Sequence, residues 1–270
     1  MDLTWIHFVV LIASGLLVGF INTLAGGGTI ISLSVFMLFG LDPVTANGTN
    51  RIAVLMQNTT AVVNFSRKKL IDWTKAFKFT TSIILGAIVG TIFANIVSTN
   101  YFNVIFGIGI ILFTILFIIE PYHRLKEKEN LKDKPLRFWH HLVFFLIGIY
   151  AGFIHVGVGY FILFMLTLGT GNELVKANAM KNFLVLVYIP FSIVIFAIQG
   201  NINWTYGLIH SIGNIIGAQI GSMVAIRRGA GFIRWVMIVL VFLIVLQLFG
   251  VIDPSSISEW LAKNNLQISR

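Results

Sequence analysis

Apolar and polar positions fall along this chain in long blocks. Residues 5–21, 76–97, 102–119, 138–154, 204–226 and 232–252 are nearly continuous apolar runs. Each is long enough, or nearly so, to cross a hydrocarbon core that takes roughly 20 residues. Runs 44–65 and 175–199 also have membrane length but open on a polar stretch, and runs 29–40 and 158–169 are too short to span. The pattern predicts ten helical segments. The first is not a secretory signal, because Asp2 is the only charge ahead of it and a signal needs a basic start.

The blocks occur twice. "IDW" (71–73) lies on "INW" (202–204) at an offset of 131. The same offset sets "LGAIVGTIFA" (85–94) on "IGAQIGSMVA" (216–225), pairing Gly86 with Gly217 and Gly90 with Gly221, and "ANGTNRIAVL" (46–55) on "ANAMKNFLVL" (177–186). Upstream, "GFIN" (19–22) meets "GFIH" (152–155) at an offset of 133. Ordered matches at nearly one spacing mark a duplication. It divides the chain into a first repeat (1–120), a linker (121–137), a second repeat (138–252) and an interfacial tail (253–270).

Loop charge then sets orientation. The linker, in "EPYHRLKEKENLKDKPLR" (120–137), and the turn "SRKKLIDWTK" (66–75) are basic and read as cytoplasmic, whereas "VSTNYF" (97–102) is uncharged and reads as external. In the second copy the signs reverse: "QGNINW" (199–204) is uncharged and "RRGAGFIR" (227–234) is basic. Equivalent loops facing opposite sides define an inverted-topology repeat, which requires an odd number of segments per copy. The expected fold is an all-α polytopic protein of the inner membrane, with two inverted repeats of five segments and both termini external. The first two segments of each repeat form a re-entrant-like hairpin, whose irregular backbone protein or a cavity must cover. Trp5, Trp73, Tyr101, Trp139, Trp204 and Trp235 at segment ends read as interfacial anchors. A capping box from Ser256 to Glu259 starts a short external helix in the tail.

Composition agrees: 57% of the 270 residues are hydrophobic and 11% charged, against roughly a quarter charged in soluble domains. Mean hydropathy is +0.91. The net charge of +9 sits in short loops and reports orientation rather than nucleic acid. With no cysteine, disulfides and thiolate chemistry are excluded. No nucleotide loop or HExxH motif occurs, and no metal or cofactor is expected. The expected partners are a small anion and the lipid bilayer, with a homodimer left open.

The candidate chemistry begins at Arg51, about eight residues into its segment, roughly 12 Å deep at 1.5 Å per residue. An arginine there marks a substrate path or a buried pair. No apolar segment offers a carboxylate at that depth; Asp42 and Glu173 are the acids that would have to reach inward. The second copy puts Lys181 and Asn182 at the equivalent place. Two cations in an uncharged interior favour an anion, with Asn47, Thr49, Asn50, Asn178 and Asn182 as hydrogen-bonding neighbours. "INTLAGGGTI" (21–30) breaks the first hairpin and "IHVGVGYF" (154–161) the second. Interrupted segments at matching places point to a transporter site, so Asn22, Gly27, Gly28 and His155 join the candidate set. His155 is the candidate for proton coupling, beside the alternative of a neutral hydrogen-bonded histidine.

On these residues the chain resembles the sulfite exporter TauE/SafE family: the glycine-rich break in "GFINTLAGGGTI", the "ANGTNR" after a Pro-containing loop, the basic turn before "IDW", and the recurrence of the whole pattern. "GVGYFI" lacks the triple glycine, and "ANAMKN" replaces the usual Thr-rich stretch. The resemblance implies a secondary transporter, not an enzyme, that exports sulfite, sulfoacetate or a related sulfonate. The competing readings are an anion channel on the same repeat and a membrane-embedded hydrolase using Ser14 with His155 or His210.

Overall fold

The computed structural model describes residues 4–97 and 137–248, and those residues hold helices and no strands. The helices are α1 (Trp5–Leu24), α2 (Thr29–Leu38), α3 (Pro43–Arg67), α4 (Trp73–Ile96), α5 (Phe138–Phe153), α6 (Val158–Phe164), α7 (Leu174–Ile198) and α8 (Trp204–Leu248). A π-turn, Met165–Gly169, extends α6. The segment expected at 102–119, nearly all of the linker, Tyr101 and the tail with its Ser256–Glu259 box lie outside the described residues.

Local chemistry sets the helix starts. Asp42 accepts from the Val44 and Thr45 amides while Pro43 takes the first helical position of α3. Asp72 caps α4 through the Lys75 amide, and the Asn203 side chain accepts from the Tyr206 amide at the start of α8. Among the described residues, four helices are long and apolar enough to cross a membrane: Trp5–Leu24, Trp73–Ile96, Leu174–Ile198 and the Trp204–Ile233 part of α8. α3 has the length but not the hydropathy, and protein surrounds it. Its Asn47, Thr49, Asn50, Arg51, Gln57 and Asn58 are all buried. The run Trp204–Leu248 is two helices that meet at a kink at Gly229, where φ is 66° and ψ is −159°, within the turn expected between segments 204–226 and 232–252. Glycine alone accepts that conformation readily, so the basic turn interrupts the helix there.

Among the described residues, the largest interfaces all join residues before 97 to residues after 137. α1 packs on α8, α4 on α5, α3 on α8 and α7, and α7 also on α4. Two of these contacts are glycine seams. Gly86 and Gly90 lie on the Phe145 and Ile149 carbonyls, and Gly148 lies on the Ile83 carbonyl. In the other seam Gly217 and Gly221 lie on the Leu16 and Phe20 carbonyls, and Gly19 lies on the Asn214 carbonyl. Removing side chains lets the helix backbones touch, which is how packing holds helices together where lipid removes the hydrophobic drive.

The seams correct one register. α1 ends at Leu24 and α5 at Phe153, while α2 starts at Thr29 and α6 at Val158; both pairs are 129 residues apart. At that offset every seam contact named above has its counterpart, with α4 and α8 matched at 131. The "GFI" match at 133 is one helical turn out. Gly15, Gly19 and Thr23 in α1 and Gly148 and Gly152 in α5 recur every fourth residue, so the ladder also matches itself one turn displaced. Asn22 therefore corresponds to Ala151, and His155 to Gly26.

A side chain in a seam should be costly and one outside it harmless. Gly90→Leu pushes carbons into the Ile149 backbone, whereas Gly231 is exposed with nothing within 4 Å of an added carbon. Overpacking costs about 1–3 kcal/mol. Melting of purified protein in detergent should fall clearly for Gly90→Leu and stay at the wild-type value for Gly231→Leu. Equal melting of both variants would show that the seam carries no stability.

Candidate functional site

Each break leaves a helix end inside the protein. The last four carbonyls of a helix have no partner within it, and no water reaches hydrocarbon to replace one. At the end of α5 the donor is Arg51 of α3, whose Nη1 donates to the Ala151 carbonyl at 2.7 Å and Nη2 to the Gly152 carbonyl at 3.0 Å. Asn47, one turn earlier, accepts from Nη2 at 3.1 Å and donates to the Phe153 carbonyl at 2.8 Å. The Phe196 ring lies 5.6 Å from the guanidinium carbon. At the end of α1 the donor is Lys181 of α7, whose Nζ donates to the Asn22 carbonyl at 2.8 Å and the Thr23 carbonyl at 3.1 Å. Asn182 adds a bond of 3.3 Å to the Thr23 carbonyl. At the corrected register Asn22 and Thr23 are the counterparts of Ala151 and Gly152. Each third-segment helix thus puts a cation on the carbonyl end of the other half's broken helix, where the helix dipole favours positive charge.

Among the described residues, carboxylates play no part in this arrangement. Asp42 is spent on its own helix start, and the exposed Glu173 pairs with Lys176 at 3.3 Å. Among the described residues neither Arg51 nor Lys181 has an acidic partner.

A cavity of about 10 Å³ lies between the two breaks, lined by Asn22, Gly26, Gln57, Asn58, His155, Gly159, Lys181 and Val185. That is room for about one water molecule. Its shape follows from a difference between the halves. His155 Nδ1 and the Tyr188 hydroxyl lie 2.8 Å apart, filling the space on one side. Their counterparts are Gly26 and Gln57, which leave it open. Gly26 has a φ of 90° and lies against Gly159, so the two breaks cross backbone to backbone. Asn22 accepts from the Gly28 amide at 2.7 Å and donates to Thr29 Oγ1 at 3.4 Å, which folds the glycine run back on itself.

The structure brings Asn22, His155 and Lys181 to the cavity wall, while Arg51, Asn47 and Asn182 stand behind it on the helix ends. Gly27 and Gly28 are buried in the first break. Thr49 lies elsewhere, accepting from the Asn203 amide at 2.9 Å and holding the turn before α8. Asn50 and Asn178 are fully buried, and neither side-chain amide has a partner within the protein. Thr23 Oγ1, Gln57 Oε1, Asn182 Oδ1 and Arg51 Nε are also buried without one. The sequence reading missed Gly26, Gln57, Asn58, Gly159 and Tyr188. A usable signal exists in the helical period: Gln57 and Tyr188 lie two turns beyond Asn50 and Lys181, on the same face.

Ser14, the nucleophile of the hydrolase reading, donates to the Val10 carbonyl of its own helix at 2.6 Å and lies 3.5 Å from His210 Nδ1. That ring nitrogen is 2.8 Å from the Leu11 carbonyl, and Nε2 is 2.8 Å from Ser32 Oγ.

Apolar helices of membrane length, two short broken ones and buried cations at the breaks define a multi-pass membrane protein of transporter type. The sequence profile of the family described as "Sulfite exporter TauE/SafE" matches residues 11–248, and the chain belongs to that family of membrane transporters. It is 26% identical over 254 residues to "Probable membrane transporter protein ORF9" of Sinorhizobium sp, covering 94% of this chain and 96% of the relative. It is 25% identical over 260 residues to "Probable membrane transporter protein YfcA" of Escherichia coli K12, covering 94% of each. A "Probable membrane transporter protein" of Haemophilus influenzae is 24% identical over 243 residues, covering 90% of this chain and 94% of the relative. No solved structure gives a significant match.

Arg51 supplies the next test. Arg51→Leu leaves the Ala151 carbonyl without a donor and Gly152 with only the 3.3 Å bond from Thr91. A buried polar group left unpaired costs about 1–3 kcal/mol. Arg51→Lys keeps the charge on the helix end while losing the fork. Folded yield and melting should fall in the order wild type, Arg51→Lys, Arg51→Leu. An Arg51→Leu protein as stable as wild type would show that the helix end does not depend on this cation.

Proposed function

We propose that this protein is a secondary transporter of the cytoplasmic membrane that exports a small sulfur-containing or organic anion, sulfite, sulfoacetate or a related sulfonate. The observation that carries the reading is Lys181. Its ammonium is buried at a cavity between two helix breaks, has no carboxylate among the described residues, and has two of its three N–H donors on backbone carbonyls. A charge so placed gains most from a desolvated anion held by several donors. Asn22, His155, Asn58 and Gln57 surround it. The Gly27 and Gly28 backbone lies at the same break, and Asn50, Asn178, Asn182 and the free Nε of Arg51 stand behind, with Asn47 and Thr49 holding helix ends in place. His155, the candidate for proton coupling from the sequence, and Lys181 are the two ionisable side chains on the wall, and coupling is assigned to one of them. The cavity is too small for a sulfonate, so the anion enters only when the helix ends part.

The inverted topology belongs to the same proposal. It is supported by the reversed loop charges and by the exchanged packing, in which α1 with α8 and α4 with α5 make matching seams. Alternating access then follows from rocking one half against the other around a shared site.

Two measurements test this. A panel of sulfite, sulfoacetate, taurine and chloride is screened for thermal stabilisation of the purified protein. A ligand at a hundredfold excess over its Kd contributes about 2.7 kcal/mol, and Lys181→Gln should lose the response. If no sulfur oxyanion or sulfonate shifts melting, the substrate reading fails. For topology, single cysteines replacing the exposed Lys68 and Gln199 should label from opposite sides of the membrane. Labelling from one side rejects the inversion.

A further inference from the structure

We propose that the proton bound to Lys181, not one on His155, controls anion binding at this site; this rests on the transport reading above. Two cations hold equivalent helix ends here, and their chemistries differ. Arg51 keeps its charge under all working conditions, is fully buried, and does not line the cavity. Lys181 is an amine that can release a proton, and it does line the cavity. The hold on α5 is therefore permanent and the hold on α1 is switchable.

The surroundings of Lys181 point the same way. Its ammonium sits on the Asn22 and Thr23 carbonyls at the end of a broken helix, the kind of place where transporters coordinate a coupling cation. A tethered ammonium cannot diffuse away, so loss of a proton is its only route to discharge. At the same helix end the Thr23 hydroxyl and the Asn182 amide oxygen are buried without protein partners, so the fold alone does not saturate the polar groups around the charge. Ionisable groups on the packed elements are few. α3 brings Arg51, the second break brings His155, α7 itself carries Tyr188, and α6 carries Tyr160. α1 brings no ionisable group to Lys181, its His7 being held at Thr4 near the opposite end. Lys75 and Lys78 of α4 lie in its first turns, and His210 of α8 is engaged by Leu11 and Ser32. His155 is tied to Tyr188, whereas Lys181 keeps one N–H for the cavity.

The step balances simply. With Lys181 protonated, the anion binds against the ammonium. An Nζ–H bond then breaks, the proton passes to a cavity water and on to the open side, and the electron pair stays on Nζ. The anion loses its counter-charge and leaves. The α1 carbonyls lose their charge-assisted bonds, which frees that helix end to move. Reprotonation restores the hold.

Sulfoacetate is the probe, because neither of its acidic groups titrates from neutral to alkaline pH. Its Kd for the wild type should rise about tenfold per pH unit once pH passes the Lys181 titration. Lys181→Arg should bind with no such slope, and His155→Gln should keep the slope whatever its affinity. A slope lost in His155→Gln and kept in Lys181→Arg would overturn the proposal. Where Lys181→Arg does not fold, the wild type decides through proton uptake followed with an indicator dye in weakly buffered alkaline solution. About one proton taken up per sulfoacetate bound is expected, and no uptake would refute the idea. Absence of binding at every pH would instead sink the transport reading itself.

Discussion

A helix that stops inside a membrane protein leaves carbonyl groups that water cannot reach, and this constraint organises the structure. Both α1 and α5 stop that way. Donors must come from side chains, must be long enough to reach, and are best charged, because the carbonyl end of a helix is its negative pole. That explains why α3 is the least apolar of the long helices and why it lies against α7 and α8. A helix carrying Asn47, Asn50, Arg51, Gln57 and Asn58 is tolerable at that depth only where other helices cover it.

Duplication supplies two helix ends, and divergence between the copies supplies chemistry. One end is held by an arginine with an asparagine one turn away, the other by a lysine and an asparagine at adjacent positions. One break carries His155 locked to Tyr188, the other carries Gly26 facing Gln57, and the cavity occupies the difference. Two identical halves would either fill this space twice or leave two openings.

Much of this was legible in the chain, and the limits are physical. The offset of 131 located α3 with α7 and α4 with α8, and the glycine runs located both breaks. The register of the first helices was misread by one turn because a residue ladder that recurs every fourth position resembles its own displaced copy; only the carbonyls it touches remove the ambiguity. Arg51 stood out as misplaced, but its partners could not be read, since a backbone carbonyl has the same chemistry in every residue. Gln57 and Tyr188 were passed over because single polar residues in an apolar helix carry no signal until a partner is visible.

The exchanged packing has a consequence for how the protein is made. α1 ends at Leu24, and the helix that lines its seam begins only at Trp204. At a synthesis rate of about 5–20 residues per second, α1 waits roughly 10–40 s in the bilayer before that partner leaves the ribosome. During the wait its glycine face meets only lipid, and Lys181, the donor for its last carbonyls, has not yet been made until late in that interval. The first half therefore has its seams open throughout synthesis, and they close only when the second half packs over it.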